Sequence, residues 1–171
     1  MGRMSAVFSA RLRMNPADPV NNRLTPHSAP SRKIARRLIN SRQPVGKGVE
    51  GSASAAAAAC DDLYRDLSRW VGPDGCDALF ARALAQTRLE YATLDQIKLR
   101  PRSKPYLDGV AETIMARGDA AIAEALESML VHLIELLGRL IGDDMATKLI
   151  ERSLAAPERD DTTPDDRREE A

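Results

Sequence analysis

The sequence predicts an all-α protein, a compact bundle of four to five helices with a disordered tail at each end. Three observations lead to this prediction. Hydrophobic residues make up 43% of the chain and aromatic residues only 4%, and most of the apolar residues are Ala and Leu, which favour helices over strands. Apolar residues recur at helical spacing in several segments. Glycine and proline stand at the junctions between those segments.

The charge distribution divides the chain into three parts. The whole chain has a formal net charge of zero, but residues 1–50 carry ten basic and two acidic residues, residues 51–155 twelve and sixteen, and residues 156–171 three and seven. The basic, proline-containing first part cannot bury enough apolar surface to offset the entropy of ordering. We therefore predict a disordered basic leader over residues 1–52, a helical bundle domain over 53–155 and a disordered charged tail over 156–171.

One short helix is expected within the leader, over residues 31–41. Ser31 follows Pro30 and can cap its start, and apolar residues then share one side of the helix. Four cations surround that apolar side and form a candidate polyanion-binding group: Arg32, Lys33, Arg36 and Arg37. The leader also has the composition of an organelle transit peptide. The alternative is an extension without a function, because terminal segments commonly tolerate change.

The first two helices of the predicted domain meet at a tight corner. The first is expected over residues 54–71, with an apolar stripe that faces the core and contains Leu63, Leu67, Trp70 and Val71. Gly72 and Pro73 end this helix. Asp74 is the expected N-cap of the second helix, which continues to about residue 91.

A basic loop follows, and a third helix comes after it. Pro101 and Pro105 break the helical pattern, and the alternation of apolar and basic residues over 97–100 indicates a short extended stretch. The third helix is expected over residues 106–116 and ends at Gly118.

The longest and most apolar helix is expected between Asp119, its N-cap, and Gly142, which ends it. Its apolar residues fill roughly 160° or more of a helical wheel, which is more than one neighbouring helix covers. Either the other helices surround it, or a second copy of the chain covers part of it. We expect the second copy to contact four of its residues: Met129, Leu133, Leu136 and Leu140. A last helix begins at Asp143 and ends near residue 154.

The other side of this helix holds a candidate polar site, which consists of Ser128, His132, Glu135 and Arg139. We expect His132 to face solvent or an interface. An exposed histidine on a bundle helix, followed by the apolar, glycine-containing run 133–142, resembles the phosphoacceptor segment of histidine phosphotransfer domains. The resemblance implies a signalling domain that uses His132. The sequence departs from that pattern at Glu135, whose carboxylate would repel a phosphoryl group.

The sequence disfavours several other classes of site. Cys60 and Cys76 lack metal-ligand spacing, so we expect two reduced buried thiols, no metal and no cofactor. The chain contains no nucleophile elbow, phosphate loop or dinucleotide fingerprint, which disfavours an enzyme. It also has no apolar run long enough to span a membrane, and we expect a cytoplasmic protein.

The preferred hypothesis is therefore a non-enzymatic interaction or regulatory module that forms a homo-oligomer, with a homodimer as the simplest form, or binds another helical protein. The composition, rich in Ala and Arg, favours a bacterial source. The first alternative is weak, nonspecific and salt-dependent binding of nucleic acid through the basic leader. The second is phosphotransfer through His132.

Overall fold

The computed structural model describes residues 28–43 and 51–155, and most of these residues are helical. The all-α prediction is confirmed. Six α-helices and a two-stranded antiparallel sheet follow one another in the described residues: α1 (Ala29–Asn40), α2 (Ser52–Val71), α3 (Pro73–Glu90), β1 (Lys98–Leu99), β2 (Leu107–Asp108), α4 (Val110–Arg117), α5 (Asp119–Ile141) and α6 (Asp143–Ala155). The predicted C-terminal tail and most of the predicted leader lie outside the described residues.

Helix α5 is the centre of the bundle, and the five other helices all pack against it. Between Ile122 and Gly138 most of its residues are buried, on nearly every side of the helix. Each large apolar side chain that is buried in this way contributes about 1.5–3 kcal/mol to folding. The wide apolar arc of α5 is thus covered by helices of the same chain, which is the first of the two arrangements that the sequence allows.

Helix α1 lies where the short helix was predicted in the leader, and it is packed into the bundle. Its apolar side belongs to the common core through Ile34, Ala35, Leu38 and Ile39. The backbone N–H of Ser28 donates to Glu135 at 2.8 Å, and the guanidinium of Arg36 donates to Glu127 at 2.8 Å. These two contacts show that α1 runs antiparallel to α5. The bundle therefore includes a helix that lies before the predicted domain boundary at residue 53.

The third predicted helix begins later than expected, because residues 107 and 108, which were expected in its first turn, form strand β2 of a β-hairpin. Residues 107 and 108 pair with residues 99 and 98, so the extended stretch predicted near residue 98 is present as β1. Gly109 follows with a φ of 84°, and a Cβ at this position would lie 2.9 Å from the carbonyl oxygen of Gln96. Only glycine fits such a turn and such a close approach, and α4 begins at the next residue.

Glycines, rather than the expected aspartates, occupy the N-cap positions of α3 and α5. Asp74 and Asp119 lie inside the first turn instead, where the helix dipole favours a carboxylate. Asp119 caps a different helix, since its carboxylate accepts the backbone N–H groups of Ser52 and Ala53 at 3.1 and 3.2 Å. This contact joins the start of α2 to the start of α5.

Candidate functional site

A buried polar cluster joins the end of α3 to the middle of α5. The imidazole Nε2 of His132 lies 3.2 Å from Oε1 of Glu90. The hydroxyl of Ser128 donates to Oε2 of the same carboxylate at 3.5 Å. Ser128 and His132 are one turn apart on α5, so a single carboxylate from α3 reaches both. This carboxylate gives the two polar side chains a partner inside the bundle, where burying them without one would be costly.

His132 was expected to face solvent or an interface, and it is instead buried inside the bundle. The residue is 8% exposed, because α1 and α3 pack over the side of α5 that carries Ser128 and His132. A phosphoryl donor has to reach an imidazole nitrogen, and here the Glu90 carboxylate lies against Nε2. The geometry around His132 therefore does not fit the exposed phosphoacceptor that the sequence resemblance implies.

The other two residues of the predicted polar site have different surroundings from each other. Glu135 accepts the backbone N–H of Ser28 at the start of α1. Arg139 is exposed near the end of α5. Of the four residues of the predicted site, Ser128 and His132 are thus buried, Glu135 is partly buried, and only Arg139 is exposed. The carboxylate that contacts the two buried residues, Glu90, comes from about forty residues earlier in the chain and carries no pattern that would have identified it.

The interface predicted on α5 is not available on the surface of the folded chain. Met129, Leu133 and Leu136 are buried among the other helices, and only Leu140 is largely exposed, at 63%. The physical reason is that five helices, including α1 from the predicted leader, pack around α5. A second copy could contact Leu140, but it could reach the other three residues only by displacing the chain's own helices.

Two of the four predicted polyanion-binding cations are engaged in ion pairs within the chain. Arg36 contacts Glu127 of α5 at 2.8 Å, and Arg37 contacts Glu151 of α6 at 3.4 Å. Arg32 and Lys33 are exposed on the same helix. Binding to nucleic acid depends on positive charge that can contact phosphates. The two ion pairs offset part of the positive charge of α1.

Trp70, which was expected to face the core, is 62% exposed at the end of α2. Of the apolar stripe predicted on this helix, Leu63 and Leu67 are the residues that are buried in the core. The guanidinium of Arg152 lies 5.9 Å from the centroid of the indole ring. Trp70 and Arg152 also line a cavity of about 260 Å³ between α2 and α6, together with Asp66, Arg69, Leu149 and Ser153.

Met145 extends this region along α6. It is exposed and lies one turn before Leu149, so the two residues share a helix face. We call the region the α2–α6 face and define it by its apolar residues Trp70, Met145 and Leu149 and its charged residues Asp66, Arg69 and Arg152. The sequence alone did not indicate this face, because Trp70 and Met145 both fit the apolar stripe of a helix that faces a core.

A second buried cluster anchors the loop between α3 and α4. The carboxylate of Asp77 accepts the hydroxyls of Tyr64 at 2.8 Å and of Tyr106 at 3.1 Å. The two tyrosine rings stack with their centroids 3.9 Å apart. Burial, together with the Asp77 carboxylate, raises the pKa of both hydroxyls. The tyrosines therefore stay neutral, and the cluster holds Tyr106 against α2 and α3.

The thiols of Cys60 and Cys76 are both buried in the core of the bundle. Burial raises the pKa of Cys76 to about 12, with a further contribution from the Asp77 carboxylate. Burial likewise raises the pKa of the Cys60 thiol, and Asp61 adds to the effect. A thiol that remains protonated at neutral pH is a poor nucleophile and a poor metal ligand. The cysteines thus behave as small apolar residues.

The described part of the chain contains no group of three or more His, Cys, Asp or Glu side chains placed to hold a metal ion. In residues 28–43 and 51–155, no helix combines the length and the apolar character needed to cross a membrane. Comparison of the chain with protein-family models, with curated proteins and with solved structures gave no match in any of the three.

Proposed function

We propose that the chain is a non-enzymatic helical interaction module that self-associates through the α2–α6 face. The observation that carries this proposal is the exposure of Trp70 beside a cavity of about 260 Å³. An indole in water leaves a large apolar area without a partner. Exposed apolar residues with an adjacent pocket and a charged rim are typical of protein interfaces. Trp and Arg are also the residue types that dominate the binding energy of such interfaces.

The charges of the α2–α6 face favour a second copy of the chain as the partner. In a twofold dimer each surface meets its own copy, so the surface has to be complementary to itself. The face carries the carboxylate of Asp66 and the guanidinium groups of Arg69 and Arg152 at the edge of one cavity. Such a mixture lets cations of one protomer meet the carboxylate of the other. This surface takes the place of the α5 interface that the sequence suggested.

Self-association can be followed by tryptophan fluorescence, because Trp70 is the only tryptophan of the chain. Burial of the indole in an interface should shift its fluorescence emission to shorter wavelength as the protein concentration rises. Light scattering over the same concentration series should show a matching increase in mass. Removal of the indole in Trp70→Ala should weaken the dimer by about 2 kcal/mol or more, which corresponds to a dissociation constant roughly thirtyfold larger.

Leu89→Ala is the matched control, since Leu89 is 84% exposed but lies on α3, outside the α2–α6 face. It should leave the mass unchanged. Met145→Lys retains the tryptophan, and it should abolish both the emission shift and the increase in mass. A wild-type chain that stays monomeric with a constant emission maximum at every concentration would refute self-association through this face. A dimer that is equally stable in Trp70→Ala would place the interface elsewhere.

A further inference from the structure

A second cavity, of about 230 Å³, lies between α1 and α5. We call it the α1–α5 cavity. Helix α1 contributes Arg32 and Arg36 to its wall, and α5 contributes Glu124, Glu127, Ser128 and Val131. Tyr91, the residue that follows α3, completes the lining. The α2–α6 face shares none of these residues, so the function of this cavity can be considered independently of the proposed self-association.

The cationic and the anionic side chains that line the α1–α5 cavity lie on opposite walls. Both cations belong to α1 and both carboxylates to α5. Arg36 and Glu127 already form an ion pair across the wall at 2.8 Å. Glu124 accepts the hydroxyl of Tyr91 at 3.3 Å. Arg32 is exposed and makes no ion pair with a carboxylate of the described residues, which leaves it able to bind an anionic group.

Ser128 connects this cavity to the interior of the bundle. It is a buried residue that lines the cavity and also donates to the Glu90 carboxylate. That carboxylate lies against His132, so the floor of the cavity is held by a buried network and not by mobile surface groups. Tyr91 is held at its edge, where burial first and Glu124 second raise the pKa of its hydroxyl and keep it protonated as a donor. A polar floor that is fixed in this way is the arrangement that small-molecule sites use to orient a ligand.

We propose that the α1–α5 cavity binds a small aliphatic zwitterion, a molecule with one carboxylate and one amine. The carboxylate meets Arg32 on the α1 wall, and the ammonium meets Glu124 on the α5 wall. The lining has as many cations as carboxylates, so a simple anion or a simple cation would meet a like charge that a zwitterion balances. Val131 supplies an apolar contact for a short aliphatic group.

The test compares three probes that carry their charged groups on the same carbon of a common isobutyl group. L-valine carries both charges, isovalerate lacks the amine, and isobutylamine lacks the carboxylate. Each is titrated into the full chain at concentrations up to tens of millimolar, and binding is followed through the amide chemical shifts of Ser128 and Val131. L-valine should give saturable shifts, and each single-charge probe should bind at least about tenfold more weakly, because it leaves one charged partner unmatched.

Two variants and a matched control test the assigned contacts. Arg32→Gln and Glu124→Gln should each weaken L-valine binding about tenfold or more, and both residues are exposed, so the helical content should remain unchanged. Lys33→Gln removes the neighbouring cation of α1, which does not line the cavity, and should leave binding unaltered. Equal binding of isovalerate or isobutylamine, or no saturable shift with L-valine, would overturn the proposal. The proposed self-association is tested separately, by the mass of the wild-type chain, so binding or absence of binding of L-valine does not decide it.

Discussion

Asp77 is the one acceptor that two buried tyrosine hydroxyls share, and we expect its removal to have a large effect on stability. In Asp77→Ala the hydroxyls of Tyr64 and Tyr106 lose this partner while the rings stay inside the bundle. A buried donor without an acceptor costs about 1–3 kcal/mol. We therefore expect the free energy of unfolding, measured by urea titration, to fall by about 2–4 kcal/mol.

Two further variants separate this effect from a general loss of charge. Asp77→Asn keeps one acceptor oxygen and should lose clearly less stability than Asp77→Ala. Asp74→Asn changes an exposed carboxylate of the same helix, whose ion pair with Arg102 lies at the surface, and such pairs contribute little. If Asp77→Ala and Asp74→Asn were equally stable, the tyrosine hydroxyls would have to find other partners, and the anchoring role of Asp77 would be wrong.

Asp61 should make the stability of the fold depend on pH in an uncommon direction. Burial raises the pKa of its carboxyl above the ordinary value, and the backbone N–H groups of Tyr106 and Leu107 offset only part of this. The folded chain therefore holds a proton that the unfolded chain has already lost once the pH exceeds about 4. Because the folded state binds more protons in this window, the contribution of Asp61 to stability is largest at low pH and decreases as the pH rises through the folded pKa.

The variant Asp61→Asn removes this titration and keeps an oxygen that can accept the Tyr106 N–H, which lies 2.9 Å from the carboxylate. The stability of Asp61→Asn relative to wild type should increase from pH 4 upwards and then become constant, as measured by urea titrations at a series of pH values. Asp95→Asn removes an exposed carboxylate and should keep the wild-type profile. A difference between Asp61→Asn and wild type that is the same at every pH would contradict the raised pKa.

At the scale of elements, helix α1 is the part of the bundle whose attachment is easiest to test. Leu38 is buried between α1 and the rest of the core. Truncation of a buried leucine costs about 2–5 kcal/mol, so Leu38→Ala should lower the free energy of unfolding by an amount in this range. Leu89→Ala, at an exposed position, should change it by less than about 0.5 kcal/mol. A loss in Leu38→Ala as small as that of the control would mean that α1 is detached in solution.

The extent of most helices could be predicted from the sequence, because their ends depend on local chemistry. Gly72 and Pro73, Gly118, and Gly142 end or separate helices through conformations that only nearby residues determine. The capping of α2 could not be predicted in this way. Its first N–H groups bind Asp119, which lies more than sixty residues away and was expected to cap its own helix.

The candidate sites were less predictable than the helices, because burial depends on which elements meet. A helical wheel places Ser128 and His132 on a polar side, but the packing of α1 and α3 over that side buries both residues. Conversely, Trp70 belongs to an apolar stripe by spacing and is exposed, since Leu63 and Leu67 fill the core positions. Residue type and spacing identify a helix face, and only the tertiary packing decides whether that face is covered.

At the scale of the whole molecule, one continuous apolar core connects all of the described helices. It extends from Ile34 in α1 to Ile150 in α6, and α5 contributes more buried apolar residues to it than any other helix. A domain with a single core is expected to unfold in one cooperative transition. Trp70 reports on the α2–α6 face, whereas circular dichroism reports on all helices together, so the two signals follow the same transition only if α1 unfolds with the rest.

Self-association adds a dependence on protein concentration to this transition, and this gives a thermodynamic test of the proposed dimer. Because the dimer exists only in the folded state, each tenfold increase in concentration stabilises it by about 1.4 kcal/mol per mole of dimer. The midpoint of thermal unfolding in wild type should therefore rise with concentration. In Trp70→Ala the rise should begin only at about thirtyfold higher concentration, because the dimer of this variant is that much weaker. Leu89→Ala should behave as the wild type does. A wild-type midpoint that is the same in dilute and concentrated solution would contradict a dimer coupled to folding. A rise that begins at the same concentration in Trp70→Ala as in wild type would assign the dimer to a surface other than the α2–α6 face.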